Sequence, residues 1–436
     1  MRVLLAVGWY FPDSVGGTEV YVRGLARHLA RDGADVSIAA PSADAAASTY
    51  DHDGIAVHRY PAPYADDALA GWMTAEPGGW CDLIERHRPD IVDVHSVTSA
   101  LGLPHLAAAR RRGIRTVLTA HLPGVVCARG TLMRFGHTPC DGALATQPCE
   151  VCRLHGRGVP RAAGRVLERL PGGLHARGLD RRLPVFLKSL FGPSVNHARR
   201  RRLFADLMSE ADRVVAVSAW LARMLELNGV PPAKVSLCRQ GVDGPFVRRD
   251  GDRRPGPLRA GFVGRLDPLK GLHVLLEAER LVADDVPLEL HIWGAAAQVH
   301  PQYSARVLAR ARLRSRVTVH PETRDVRSVY ADLDVLVVPS QWLETGPIVV
   351  LEAQAAGLPV VGSDLGGITE RVTDDTDGLL VPANEPAAFA AVLARLAGDP
   401  ALVRRLRHTA PVRTMAEVAC DTLRTYRGLV ERRRAS

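Results

Sequence analysis

Two glutamates, Glu344 and Glu352, stand eight positions apart and flank a Gly-Pro turn. An apolar run typical of a buried strand precedes the turn, and a run typical of a helix follows it. The first residues of that helix, Ile348 and Val349, would present free backbone N–H groups, which bind anions such as a diphosphate. The two carboxylates would bracket such an anion and could accept hydrogen bonds from sugar hydroxyl groups. The alternative is that both glutamates are ordinary charged residues of the helix and its first turn.

A second stretch, Phe262–Gly271, has the order strand, glycine, cationic loop, helix. Gly264 would let a phosphate approach the backbone. Arg265 and Lys270 would place two positive charges where a diphosphate leaving group develops negative charge. Lysine occurs only three times in the chain, although lysine and arginine together number 56. A lysine retained in such a chain indicates that a compact point charge is required at this position; the alternative is a solvated loop lysine.

Two pairs of glycines also follow predicted strands, Gly16-Gly17 early in the chain and Gly366-Gly367 late in it. Paired glycines allow close approach of the backbone, although such turns are common and each pair alone is weak evidence. Together with the cationic loop and the two glutamates, they all lie between the end of a strand and the start of a helix. In a parallel α/β sheet this is the edge at which ligands bind.

The chain has the composition of a globular protein, because 47% of its 436 residues are hydrophobic and 24% are charged. This composition excludes an intrinsically disordered chain. Short strands and helices alternate in two series, separated by a linker rich in glycine and proline. We therefore expect two doubly wound α/β domains, residues 1–240 and 241–411, with a ligand site in the cleft between them. The final helix, 412–436, is expected to pack back on the first domain, and residues 122–205 are expected to form an insertion in it.

In this order along the chain, the sequence resembles the retaining glycosyltransferases of family 4, which have the GT-B fold. The motifs that carry the resemblance are Gly16-Gly17, Thr119-Ala120-His121, Ser218, Gly241-Val242-Asp243, Gly264-Arg265 with Lys270, Glu344 to Glu352, and Gly366-Gly367. The resemblance extends over nearly the whole chain apart from 122–205. It implies an α/β fold of the GT-B class, in which two Rossmann-like doubly wound domains face a central cleft.

The implied reaction is transfer of a sugar from a nucleotide-diphosphate sugar, linked to UDP or GDP, with retention of the anomeric configuration. The acceptor would be a glycan, a lipid-linked molecule or a small molecule in polysaccharide or glycoconjugate biosynthesis. In the family's usual mechanism no side chain acts as a nucleophile. The acceptor attacks on the same face, and the leaving phosphate helps to take its proton. Such an enzyme needs no cofactor and no catalytic metal.

The resemblance also implies roles for individual residues. Arg265 and Lys270 would bind the diphosphate, and Glu352 would bind the ribose. Glu344 would bind the donor sugar, near which His121 would lie. The predicted catalytic residues are therefore Glu344, His121, Arg265 and Lys270. The predicted donor-binding residues are Gly16, Gly17, Gly264, Arg265, Lys270, Ile348, Val349, Glu352, Gly366 and Gly367.

The turn between the two glutamates departs from the family pattern. The family commonly has an aromatic residue and a glycine two and three positions after the first glutamate, where this chain has Gly346 and Pro347. Because proline lacks an N–H group, one donor to the phosphate is missing. We therefore expect the phosphate contacts of this chain to differ in detail from those of the family.

Four of the seven cysteines lie within the expected insertion: Cys127, Cys140, Cys149 and Cys152, with the spacing C-x12-C-x8-C-x2-C. Cytoplasmic chains rarely keep disulfides, so a cluster that contains a C-x2-C pair predicts a structural metal, in the first place zinc. An iron–sulfur cluster and four unligated buried thiols are the alternatives.

Positive charge concentrates in one part of the chain. The formal net charge is +9, and within residues 153–202 only Glu168 and Asp180 oppose the basic side chains. Such a segment could bind a lipid-diphosphate-linked glycan or an anionic membrane surface; the alternative is a solvated basic insertion. No apolar run reaches the roughly 20 residues of a membrane-spanning helix, and the N-terminus is typical of a strand rather than a signal peptide. We expect a cytoplasmic protein that can lie on the inner face of the cell membrane.

Two other functions are compatible with these features. A sugar-nucleotide epimerase or hydrolase of the same architecture would bind the donor in the same way but would need an acid–base pair. A basic, zinc-containing nucleic-acid-binding protein agrees less well with the sequence, because no aromatic-rich stretch and no reading helix accompany the arginines. We therefore expect no nucleic-acid partner.

Two further motifs are expected to be structural. Asp332 and Asp334 match the Asp-x-Asp metal motif of a different glycosyltransferase fold, but here they precede a buried strand. His95 follows a predicted strand and is expected to be a hydrogen-bonded histidine at the edge of the core.

Overall fold

The computed structural model describes most of the chain: residues 1–14, 16–44, 46–62, 78–169, 193–246, 256–296, 300–323 and 325–435. Segment 170–192 of the expected insertion therefore lies outside the described residues. The chain divides into two compact units, Met1–Arg239 with Val418–Ser436, and Gln240–Glu417. Each unit has a largely or wholly parallel sheet of its own, so the doubly wound α/β class is confirmed.

The sheet of the first unit is formed by apolar runs that are buried in the middle of the unit. The strands are β1 (Arg2–Val7), β2 (Asp35–Ser42), β3 (Ser48–His52), β4 (Ile55–Pro61), β5 (Ile91–His95), β6 (Arg115–Ala120), β7 (Met133–Arg134), β8 (Thr138–Pro139), β9 (Arg213–Ala216) and β10 (Val235–Leu237). Eight of them form one sheet in the order β10-β9-β6-β5-β1-β2-β4-β3, and β7 pairs with β8 in a separate ribbon. In the main sheet all neighbours run parallel except β3 and β4.

Helices cover this sheet and connect its parallel strands. They are α1 (Gly17–Arg31), α2 (Gly78–His87), α3 (Leu103–Arg111), α4 (Thr146–Gly156), α5 (Arg161–Arg169), α6 (Pro193–Glu210) and α7 (Ala219–Leu227), with 3-10 turns at Pro123–Val125 and Pro232–Lys234. The register places Val7 beside His95, and His95 beside Thr119. The carboxyl ends of β1, β5 and β6 therefore lie at one level.

The second unit repeats the architecture with six parallel strands. These are β11 (Leu258–Leu266), β12 (Leu288–Ala296), β13 (Val317–His320), β14 (Val335–Val338), β15 (Val360–Ser363) and β16 (Gly378–Val381), in the order β13-β12-β11-β14-β15-β16. Its helices are α8 (Leu272–Leu281), α9 (Pro301–Arg312), α10 (Val326–Ala331), α11 (Ile348–Ala355), α12 (Gly366–Thr369), α13 (Pro386–Gly398) and α14 (Pro400–Arg405), with a 3-10 turn at Pro268–Lys270.

Strand β14 shows why this sheet is stable between two layers of helices. All four of its side chains are buried. Val335 and Val337 belong to the core on one face of the sheet, and Leu336 and Val338 belong to the core on the other. This alternation is the two-residue period of a strand, and burial on both faces explains the unbroken apolar run. Asp334, just before the strand, accepts the Arg259 N–H at 3.0 Å, which is the structural role expected for the Asp-x-Asp pair.

The sequence missed the β3–β4 hairpin at the edge of the first sheet. Strand β3 is polar and largely exposed, so no apolar run marks it, and the mostly buried β4 carries His58 and Arg59 among its apolar residues. The signal that was present is the Asp53-Gly54 pair at the turn. Both residues have positive φ, 54° and 79°, as a two-residue hairpin turn of type I′ requires.

The last helix, α15 (Met415–Ala435), belongs to the first unit from Val418 onward. It begins three residues later than the sequence predicts. Within the first unit the Tyr426 hydroxyl donates a hydrogen bond of 2.6 Å to Asp93 Oδ2, and both side chains are buried. Among the described helices, none is both long and apolar enough to cross a lipid bilayer.

Candidate functional site

The topology of the second unit indicates where a ligand would bind. Strand β11 lies between β12 and β14, so the chain leaves β11 in one direction and returns on its other side at β14. In open α/β sheets, ligands bind outside the carboxyl ends of the strands at such a switch point. The loops that leave β11 and β14 carry the predicted cation and the first predicted glutamate.

Lys270 and Glu344 meet at this switch point as an ion pair. Lys270 Nζ lies 2.6 Å from Glu344 Oε1, and the Ser340 hydroxyl donates to the same oxygen at 2.8 Å. The Glu344 side chain is only 5% exposed and that of Lys270 is 24% exposed. The Trp342 ring lies beside the ammonium, with 5.6 Å from Nζ to the ring centroid. The sequence placed both residues near a ligand but did not foresee that they bind each other.

The glycines of the second unit let its own loops pass in contact. Gly271 has φ 75°, and a Cβ there would lie 1.8 Å from the Pro339 carbonyl oxygen. The Gly367 N–H donates to the Glu344 carbonyl oxygen at 2.6 Å. A Cβ at Gly366 or Gly367 would lie 2.8 Å from that same oxygen. The close backbone approach that the glycine pair predicts is therefore made by the Glu344 loop itself.

Gly264 and Arg265 lie near the carboxyl end of strand β11, at the edge of the sheet from which the Lys270 loop leaves. A Cβ built on Gly264 would meet no atom of the described structure within 4 Å, so the space beside this backbone is open. The Arg265 side chain is exposed. Asp267 accepts the Leu269 N–H at 2.8 Å and so begins the short turn that carries Lys270.

Helix α11 follows the Glu344 loop. Pro347 occupies its N-cap. Ile348 and Val349 are the first two helical residues. Their N–H groups precede the first hydrogen bond of the helix, from Val350 N–H to the Pro347 carbonyl oxygen at 3.1 Å. This is the geometry in which a helix N-terminus binds an anion.

Glu352 lies one turn further along α11 and is held by a residue that the sequence did not identify. The Tyr330 hydroxyl donates to Glu352 Oε2 at 2.7 Å, and both side chains are buried. Burial raises the pKa of Glu352, while the Tyr330 hydrogen bond and the charge of Arg327 act in the opposite direction. Tyr330 has no sequence signal of its own, because it lies in an ordinary apolar helix.

A second polar network lies at the carboxyl ends of β5 and β6 in the first unit. His95 Nδ1 lies 3.0 Å from His121 Nε2, and His95 Nε2 lies 3.7 Å from Asp93 Oδ2. Burial lowers the pKa of His95 to about 3 and that of His121 well below its ordinary value. Burial also raises the pKa of Asp93 to about 6, although hydrogen bonds from Tyr426 and Thr119 oppose this. Both imidazoles are therefore neutral at pH 7.

Two other groups contact His121. Its backbone N–H donates to the Ser96 hydroxyl at 3.0 Å, and the Tyr21 ring packs edge-on with 4.7 Å between the ring centroids. His95 is thus buried as expected, but its partner is the predicted site residue His121. The predicted Gly16 is the N-cap of α1, and Gly17 is the first residue of that helix.

The four clustered cysteines line one cavity of about 110 Å³. Burial raises the pKa of the Cys149 thiol, to about 11, and that of Cys140. The backbone N–H groups of Ala145 and Gly142, respectively, act on these two thiols in the opposite direction. In the part of the chain that the structure describes, no group of three or more His, Cys, Asp or Glu side chains is positioned to hold a metal ion.

Comparison with family models covers both units. The model described as glycosyl transferase 4-like domain matches residues 16–241, about half of the chain, and the model described as glycosyl transferases group 1 matches residues 257–399. The chain belongs to the glycosyl transferase 4-like family. The resemblance inferred from the motifs is thereby confirmed at the level of the family.

Curated relatives of this glycosyl transferase 4-like chain include two D-inositol 3-phosphate glycosyltransferases. The protein from Nocardia farcinica is 35% identical over 221 residues, which are 46% of this chain and 48% of the relative. The protein from Thermomonospora curvata is 34% identical over 221 residues, 45% of this chain and 51% of the relative. The chain thus spans about half the length of the curated relatives it matches.

Solved structures support the fold over almost the whole chain. Sucrose-phosphate synthase from Thermosynechococcus elongatus has a TM-score of 0.67 at 18% identity, covering 98% of this chain and 99% of its own. The Anabaena HepE protein, crystallised with UDP, has a TM-score of 0.65 at 15% identity, covering 98% and 100%. These likenesses confirm the predicted GT-B class of two Rossmann-like units.

The buried histidines make the stability of the first unit depend on pH. An unfolded chain binds a proton at His95 below a pKa of about 6.5, whereas the folded chain does so only near pH 3. Stability therefore falls as the pH drops below 6.5. We expect His95→Gln to reduce the slope of unfolding free energy against pH, between pH 5 and 6.5, by up to about 1.4 kcal/mol per pH unit. Asp93 contributes with the opposite sign below pH 6, and it is present in both proteins.

Urea unfolding of the first unit at a series of pH values measures this slope. The exposed His137 provides the matched control, since His137→Gln should leave the slope unchanged. Equal slopes for the wild type and His95→Gln would show that His95 titrates normally in the folded chain.

Proposed function

We propose that the chain is a retaining glycosyltransferase that moves a sugar from a nucleotide-diphosphate sugar to a hydroxylated acceptor. The observation that supports this most directly is the group of residues at the switch point of the second unit. There the Lys270–Glu344 pair, the N-terminus of α11 and the buried Glu352 all follow strands of one sheet. The cation and the N–H groups of the helix N-terminus suit the diphosphate of such a donor, and the two carboxylates suit its ribose and its sugar.

The diphosphate is the part of the donor that this chain would bind through charge. Arg265, Lys270 and the first N–H groups of α11 would contact its oxygens. These groups would be in place before the reaction, so they would stabilise the negative charge that develops on the leaving group without further rearrangement. They would do so in place of a divalent cation. The UDP bound to the HepE protein supports a nucleotide diphosphate as the ligand of this fold.

The two glutamates would bind the neutral parts of the donor. Tyr330 occupies one oxygen of Glu352, which leaves the other to accept a hydrogen bond from a ribose hydroxyl. Glu344 would accept hydrogen bonds from the donor sugar. In the reaction the bond from the sugar C1 to the diphosphate breaks and the acceptor oxygen bonds to C1 on the same face. The acceptor proton passes to the leaving phosphate oxygen, so no side chain forms a covalent intermediate.

The first unit would supply the acceptor side, with His121 and the Gly16-Gly17 turn close to the reacting groups. The names of the relatives, D-inositol 3-phosphate glycosyltransferases, favour a polyol or glycan acceptor that carries an anionic group. The basic composition of 153–202 is consistent with such an acceptor, including a lipid-diphosphate-linked glycan. We propose a cytoplasmic enzyme of polysaccharide or glycoconjugate biosynthesis that can lie on an anionic membrane face. Binding to anionic vesicles that weakens as salt rises would test the membrane contact.

Removal of the switch-point cation should weaken nucleotide binding. We expect Lys270→Ala to raise the Kd for the matching nucleoside diphosphate about 10- to 150-fold, the loss of a charge-assisted contact worth about 1.5–3 kcal/mol. Titration calorimetry with UDP and GDP measures this and identifies the base. Lys234→Ala, which removes a lysine from the first unit, is the matched control and should bind as the wild type does.

Because Lys270→Ala removes the cation beside the buried Glu344 carboxylate, a double variant separates binding from folding. Lys270→Ala with Glu344→Gln removes both charges and should fold, yet still bind the nucleotide weakly. Affinity equal to that of the wild type in this double variant would exclude Lys270 from the diphosphate site.

Glu344→Gln alone should separate turnover from nucleotide affinity. The substitution frees Lys270 from its ion pair, so the affinity for the bare nucleoside diphosphate should be kept or increased. Turnover should fall, because the contact to the donor sugar is weakened. Steady-state kinetics and calorimetry on the same preparation measure the two quantities. A parallel loss of nucleotide affinity and turnover would contradict the sugar-binding role.

The reaction should not depend on an exchangeable divalent cation. We expect activity to survive brief exposure to EDTA, because the positive charges and the helix N-terminus already face the leaving group. Product formation before and after chelation measures this. If activity is lost and then returns on addition of Mn²⁺, the proposed charge stabilisation is incomplete.

A further inference from the structure

The four cysteines of the first unit come from three separate elements but line the same cavity. Cys127 follows the 3-10 turn Pro123–Val125, and Cys140 follows the β7–β8 ribbon. Cys149 and Cys152 lie three positions apart on α4, which places them on one face of that helix. Four thiols that only filled space in a core would not need to come together from three separate elements.

A backbone N–H group is directed at one of these sulfurs. The Phe135 N–H donates a hydrogen bond of 3.2 Å to Cys152 Sγ. Hydrogen bonds from backbone N–H groups stabilise an anionic acceptor far more than a neutral one.

Left-handed residues form the turns of this region. Phe135 and Leu132 have φ of 57° and 53°, although neither is a glycine. Non-glycine residues keep such backbone only where the surrounding structure holds them in it.

The charges that line the cavity complement a metal–thiolate centre. Arg129, Arg134 and Arg200 all line it. Arg200 donates to the Gly124 carbonyl oxygen at 2.6 Å, and Arg129 donates to the Cys152 carbonyl oxygen at 3.2 Å. These arginines therefore face the cysteine-bearing loops. Four thiolates around a divalent ion carry excess negative charge, which such cations would balance.

We infer that Cys127, Cys140, Cys149 and Cys152 together bind one Zn²⁺ ion as four thiolates. Four cysteine sulfurs are a donor set that zinc takes in structural sites. Without the ion, the thiols are directed to nearby oxygens: Cys149 Sγ lies 3.6 Å from the Ala143 carbonyl oxygen, and Cys140 Sγ lies 3.6 Å from Asp141 Oδ1. Binding exchanges each S–H for an S–Zn bond and releases the thiol protons to solvent.

The ion would hold together the segment that follows His121. Cys127 is six residues beyond this histidine, and the ribbon and α4 come next along the chain. Binding the ion would link these three elements to one another. This role is structural and does not depend on the proposed transfer reaction.

Elemental analysis of the purified, untagged full-length chain tests the inference. We expect about one zinc per chain in the wild type and at least a tenfold lower content in the double variant Cys149→Ser, Cys152→Ser. Cys420→Ser is the matched control, since Cys420 is exposed on α15, and it should retain the metal. Limited proteolysis should then cut the double variant within residues 123–156 before the control.

A second measurement keeps the test decisive if the double variant does not fold. Wild-type chain produced in Co²⁺-supplemented medium should show sulfur-to-cobalt charge-transfer bands and the absorption of a tetrahedral ion. Wild-type chain without metal would overturn the inference, and so would iron with acid-labile sulfide, which indicates an iron–sulfur cluster. Zinc retained in a folded double variant, or cobalt bound without sulfur bands, would exclude these four ligands.

Discussion

The ion pair between Lys270 and Glu344 is the interaction on which the second unit's site depends. Glu344 is almost fully buried, and a buried carboxylate without a partner costs about 3–5 kcal/mol. The pair therefore fixes the loop after β11 against the loop after β14. These two loops can come so close only because Gly271 carries no side chain, and Gly366 and Gly367 allow the turn after β15 to approach the Glu344 loop in the same way. The same constraint orients the chain that enters α11, and with it the N–H groups at the start of that helix.

The first unit holds its predicted site residue, His121, beside a second neutral imidazole rather than in an ion pair. Asp93, His95 and His121 are all buried at the ends of β5 and β6. The two imidazoles are buried too deeply to be protonated at neutral pH, as the low pKa of His95 indicates. Asp93 is satisfied by Thr119 and by Tyr426, which reaches it from the last helix of the chain. The buried Asp93 carboxyl group and the two neutral imidazoles form a network that is shielded from solvent and holds His121 in place. The ion pair of the second unit, by contrast, remains partly exposed to an incoming anion.

The sequence predicted what depends on local pattern and missed what depends on pairing. Apolar runs marked strands such as β14, and the loops carrying Lys270 and Glu344 were recognised from residue type and spacing. The Tyr330–Glu352 and Tyr426–Asp93 hydrogen bonds join residues that are 22 and 333 positions apart. Nothing in the local sequence of either tyrosine indicates its acceptor. His95 was assigned to the core because a single histidine after a strand does not reveal a second imidazole on the neighbouring strand.

The geometry of the ion pair explains why a lysine stands here in a chain that otherwise uses arginine. An ammonium has three N–H donors on one atom, and Glu344 Oε1 takes one of them. The Trp342 ring packs beside the ammonium, and the side chain remains 24% exposed, so the other donors can reach a ligand. A guanidinium would instead bind both oxygens of Glu344 through its planar fork and turn its charge toward the carboxylate. A point charge can thus be shared between a buried carboxylate and an anion, as the proposed diphosphate site would require.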